Sequence, residues 1–116
     1  MSLGVREREA AIVGTKIPKT YQKFIERFPE LGNAWESLRT AESGGPLADR
    51  DIRLIKLGAA CGSMREGAVR SGVRKALSAG VSREEIEQVI ALSASTIGLP
   101  ATVAVFSWIR DELDKG

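Results

Sequence analysis

Apolar positions recur at helical spacing through nearly the whole chain. From Pro18, the side chains Tyr21, Phe24, Ile25 and Phe28 lie three or four residues apart, and Pro29 closes the segment. Leu31, Ala34, Trp35, Leu38 and Ala41 repeat the period as far as the loop Ser43-Gly44-Gly45-Pro46. A third helix is predicted from Ala48 or Asp49, whose carboxylate suits the positive end of a helix. It presents Ile52, Ile55, Leu57 and Ala59 and runs into a small-residue segment from Gly58 to Ser63. A fourth, from about Arg65 to Ala79, is expected to bury Val69, Val73, Ala76 and Leu77, with Gly80 as its left-handed cap. Ser82 and Glu85 have the spacing of a capping box and open a fifth helix, which carries Ile86, Val89, Ile90, Ala94 and Ile97 up to Gly98. Pro100 falls in the first turn of the last, which holds Val103, Val105, Phe106, Trp108, Ile109 and Leu113. Nothing alternates as a strand would. The pattern predicts an all-α protein, an antiparallel bundle of about six helices.

Residues 1–17 read as a polar lead-in, and residues 18–116 as a single helical domain. The 116 residues suffice for one core. Seventeen basic against fifteen acidic residues give a net charge of +2, with the two signs interspersed. Few aromatics accompany them, so no nucleic-acid partner is expected. No apolar run approaches the roughly 20 residues of a bilayer crossing, and no secretory leader is visible. A cytoplasmic protein without a membrane partner is the expectation. One cysteine, Cys61, excludes an intrachain disulfide and a dithiol cycle. The absence of histidine removes the commonest general base and metal ligand, and no metal or cofactor is expected.

The segment Leu47 to Pro100 carries a recognisable order of features. Leu47 is followed by Leu54-Ile55-Lys56-Leu57, then Ala76-Leu77, Gly80, Ser82 and Glu85-Ile86, then Gly98-Leu99-Pro100. This resembles the carboxymuconolactone decarboxylase family, which also holds the alkylhydroperoxidase D proteins. The resemblance implies that family's helical scaffold, trimeric or hexameric assembly, and a small carboxylated or peroxide substrate. The redox branch carries C-x-x-C-x-x-x-H between the two blocks. Placed without gaps, its cysteines fall on Arg65 and Ala68 and its histidine on Gly72, while the relay glutamate falls on Arg53. None of the four keeps its chemistry.

Candidate chemistry then rests on substitutes. Cys61 is a possible single-cysteine nucleophile if nearby cations favour its thiolate, and otherwise a small buried hydrophobe, the favoured reading. Glu66 is the acid–base candidate, or one half of a helix-surface pair with Arg70. Arg65, Arg70 and Arg74 are the substrate-binding candidates, since guanidinium forks suit carboxylates. Their plainer reading is a solvated helix face. Ala68, Gly72 and Ala76 form a small stripe that permits close packing. Two functions remain: a decarboxylase-like protein that binds or transforms a small molecule, or a non-catalytic oligomeric scaffold or regulatory module.

Overall fold

A computed structural model describes residues 18–115, so the expected lead-in over residues 1–17 lies outside the described residues. Six helices and no strands are found among them. The chain divides into two compact units, residues 1–46 and 47–116.

The first unit holds α1 (Lys19–Arg27) and α2 (Pro29–Glu42). Pro29 both stops α1 and starts α2. A residue before proline is pushed out of the helical region, and Phe28 sits at φ −130°, ψ 72°. Proline itself is well placed at a first helical position, where its missing N–H costs nothing. The two helices touch where Ile25 lies against Gly32. A Cβ built on Gly32 would stand 3.0 Å from Ile25 Cγ2, so no larger residue fits without a shift.

The second unit is a four-helix bundle of α3 (Asp49–Gly62), α4 (Glu66–Ser78), α5 (Arg83–Ile97) and α6 (Leu99–Lys115). Arg50 near the start of α3 bonds Glu85 near the start of α5, and Arg83 bonds Asp114 near the end of α6. Thus α3 and α5 begin at the same end of the bundle, and α6 ends there. Leu57 and Cys61 from α3, Val69, Val73 and Ala76 from α4, Ile86 from α5, and Val105 and Ile109 from α6 fill the core.

Two differences from the sequence reading stand out. Leu77 was expected inside and is 42% exposed, because Val69, Val73 and Ala76 already define the inward face of α4. Val81 takes the place instead, folded back by the cap at Gly80. On α3 the inward face is Leu54, Leu57 and Cys61, whereas Ile55 is 57% exposed.

The ends of α3 and α4 use one device with different residues. After α4, Gly80 N–H donates to Leu77 O and Val81 N–H to Ala76 O, with Gly80 at φ +86°. After α3, Met64 N–H donates to Cys61 O and Arg65 N–H to Ala60 O, with Met64 at φ +55°. A side chain at positive φ costs roughly 1–2 kcal/mol that glycine avoids. Met64→Gly is therefore expected to stabilise the protein by roughly 0.5–1 kcal/mol after glycine's extra chain entropy is counted. A higher urea midpoint at unchanged slope is the expected readout, and a lower one would contradict the strain.

Candidate functional site

The five residues singled out from sequence fall into three different settings. Cys61 is fully buried in the core. Burial pushes its thiol up, away from the reactive thiolate, and outweighs an opposing backbone hydrogen bond. Arg65 is exposed at the N-cap of α4 and makes no side-chain cap bond there. Glu66, Arg70 and Arg74 are brought together with the end of α6.

That third setting is a charge cluster. Arg70 Nε donates to Glu66 Oε2 at 2.9 Å, and its Nη1 donates to Asp111 Oδ2 at 2.5 Å and Glu112 Oε1 at 3.4 Å. Arg74 Nη1 lies 3.2 Å from Glu112 Oε2, and Lys115 Nζ donates to Glu112 Oε1 at 3.1 Å. Hydrogen bonding to Asp111, then to Glu66, holds the Arg70 guanidinium still more firmly protonated than usual. Glu112 is the residue the sequence reading missed. Its side chain is 3% exposed, and burial alone would raise its carboxyl. Bonds from Lys115, Arg74 and Arg70 outweigh burial and hold it below the usual range. The signal was present: Thr102, Val105, Ile109 and Glu112 lie at helical steps on one buried face. Three cations thus face three carboxylates. The charges balance within the cluster, which carries no surplus positive charge to attract an anion.

Of the four positions on which the redox residues would fall, Arg65 and Ala68 are exposed and only Gly72 is a close-packed position, so the expected small stripe does not include Ala68. Arg53 is largely covered and stands 3.8 Å from Asp49 Oδ1. A Cβ on Gly72 would lie 3.1 Å from Leu57 Cδ1 and 3.7 Å from Leu57 Cα. Glycine here lets α4 approach α3 closely, and Leu57 fills the space beside it.

A concavity lies elsewhere, between α3 and α5. It is an open groove of about 390 Å³. One wall carries Ile55, Gly58 and Gly62, which form a second stripe on α3, one position round from the core stripe. The other carries Val89, Leu92 and Ser93 of α5, with Leu92 66% exposed. Gln88 and Thr96 add hydrogen-bonding groups, while Ser93 Oγ already donates to Val89 O at 2.7 Å. A glycine inside a helix costs about 1 kcal/mol relative to alanine. At Gly58 no neighbour demands it, because a Cβ there meets nothing within 4 Å.

Glu85 closes the end of the groove where α3 and α5 begin. Its carboxylate accepts Arg50 Nη2 at 2.5 Å and Ser82 N–H at 2.9 Å, the latter completing the capping box. The Arg50 bond, then the backbone bond from Ser82, push its carboxyl down to about 2. A folded-state value below the ordinary 4.5 means that this contribution to stability is complete above about 4.5 and fades as pH falls towards 2. Urea unfolding of wild type and Glu85→Gln should therefore differ at neutral pH and converge in acid. Parallel curves over that range would contradict the assignment.

Among the described residues, no group of three or more Cys, Asp or Glu side chains is placed to hold a metal ion. None of their helices is long and apolar enough to cross a membrane. Residues 29–111 match the Carboxymuconolactone decarboxylase family. No curated protein matches the chain.

Proposed function

Since the chain belongs to the carboxymuconolactone decarboxylase family, we propose that it uses this scaffold to bind a small, mainly apolar molecule in the α3–α5 groove. The observation that carries the reading is the groove, about 390 Å³ with apolar walls and few polar groups. That volume lies within the roughly 300–1,000 Å³ of small-molecule sites. Binding is favoured over turnover because Glu85, the acid at the groove, keeps a pKa of about 2. A general acid or base works best near the operating pH. Peroxide reduction is disfavoured too: the C-x-x-C motif is missing and Cys61 is buried. The carboxylated ligand implied by resemblance loses support, since Arg70 and Arg74 are engaged by Asp111 and Glu112.

Titration calorimetry with 1-octanol as probe is expected to show saturable binding to wild type and none to Gly58→Leu. That side chain enters the groove without meeting the core. Failure of wild type to bind would sink the reading. Alkyl hydroperoxide reduction should stay at the uncatalysed rate in both wild type and Cys61→Ser, and a Cys61-dependent rate would restore a peroxidase.

A second reading is supported by Leu99 and Val103, which are 71% and 63% exposed on α6. They suit an interface in a homo-oligomer, a trimer or hexamer, in which the protein acts as a cytoplasmic scaffold. Light scattering on wild type and Leu99→Glu tests it. An oligomer that falls apart in the variant supports this reading, and a wild-type monomer removes it.

A further inference from the structure

The helices α1 and α2 bury almost nothing of their own. α1 has no buried residue and α2 has only Gly32. At 9 and 14 residues they are at or below the length at which an isolated helix holds in water. Packing against something else must therefore stabilise them, and the apolar surface for it is present. Phe28, Leu31, Trp35 and Leu38 fall at steps of three, four and three, the spacing of a seam between two helices. The Phe24 ring extends the seam, its centroid 5.7 Å from that of Phe28. These five side chains are between 37% (Trp35) and 58% (Leu38) exposed, whereas α1 and α2 touch through Ile25 and Gly32. Ala34 and Ala41 flank the seam with small side chains, which lets a partner helix come close.

We infer that two copies of the chain pair through this seam, α2 against the partner's α2, antiparallel and two-fold. Such a contact needs a self-complementary surface, and the charges supply it. α1 carries Lys19, Lys23 and Arg27 against one acid, Glu26, while α2 carries Glu30, Glu36 and Glu42 against one base, Arg39. In an antiparallel pair the start of each α2, where α1 joins it, lies beside the end of the other. The basic α1 then meets Glu42 of the partner subunit and the negative end of that helix. A parallel pair would set α1 beside α1 and bring like charges together. Because the two helices balance each other's charge, neither a nucleic acid nor an acidic surface is favoured. The area agrees with a second copy. At these exposures the five side chains offer on the order of 400 Å² per copy. With its polar rim the pair would bury about 1,300 Å² in total, within the range of stable interfaces. The inference does not depend on the groove, and it uses other residues than Leu99 and Val103 of α6.

Sedimentation velocity on the full chain, over a range of concentrations, tests it. Wild type is expected to form at least a dimer. Leu31→Glu and Leu38→Glu each place a carboxylate in the seam twice per pair. Each should weaken pairing on the order of a hundredfold or more, as for residues at the centre of an interface. Asn33→Glu, exposed on the opposite side of α2, should pair as wild type does. In Trp108→Phe the sole tryptophan is Trp35, and its emission should move to longer wavelength as dilution separates the pair. A wild-type monomer at every concentration overturns the inference, as does unchanged pairing in Leu38→Glu. Equal loss in Asn33→Glu, or Trp35 emission that stays fixed while the mass halves, overturns it too. If Leu99→Glu alone yields monomers, the copies meet at α6, and the inference falls while that reading stands.

Discussion

Leu57→Ala is expected to lower the unfolding free energy by about 3 kcal/mol, within the range for a buried leucine truncated where the surroundings collapse poorly. Leu57 is fully buried and lies against the backbone of α4 at Gly72, so the cavity opens in the core of the four-helix unit. Poor collapse is expected because backbone, not a mobile side chain, forms one wall. Urea unfolding followed by circular dichroism measures the loss, and a change below about 1 kcal/mol would show that the two helices close the gap. A double-mutant cycle sharpens the test. Gly72→Ala alone sets a helix-propensity gain of about 1 kcal/mol against a methyl group 3.1 Å from Leu57 Cδ1. In the Leu57→Ala background that obstruction is gone, and Gly72→Ala should stabilise by nearly the full gain.

Gly72→His is expected to cost about 3 kcal/mol, at the upper end of the overpacking range, because the imidazole must displace Leu57. Combining it with Arg65→Cys and Ala68→Cys rebuilds the C-x-x-C-x-x-x-H sequence at its aligned positions. The triple variant should be as destabilised as Gly72→His alone and show no thiol-dependent hydroperoxide turnover. Recovery of stability on adding Leu57→Ala would verify that Leu57 is the obstacle. A stable triple variant with peroxidase activity would refute the packing account.

Much of the scaffold was legible because local signals agreed with one another. The Ser82–Glu85 box, Gly80 and the Pro29 break each specify an end of a helix by backbone geometry, and each is found where the spacing put it. Side-chain inclination was harder to read. On α3 the stripe Leu54–Leu57–Cys61 and the stripe Ile55–Gly58–Gly62 differ by one residue, about 100° of helix rotation. Both are apolar or small, so periodicity alone does not say which enters the core. The charge cluster was half visible. Glu66 and Arg70 form an i,i+4 pair, but the partners Asp111 and Glu112 come from more than 40 residues away in sequence. The groove was not foreseen, because it depends on how two helices splay rather than on any motif. In the sequence Gly58 is only the first of a run of small residues, and nothing there shows that open space lies above it.

The bond between Arg50 and Glu85 has a consequence for how the bundle opens. It joins the first turn of α3 to the serine cap of α5 across 35 residues of sequence. Fraying either helix start would break the pair and weaken the other, so the two should open as a unit. Amide exchange at the beginning of α5 should consequently follow that at the beginning of α3, and in Arg50→Ala the two rates should separate.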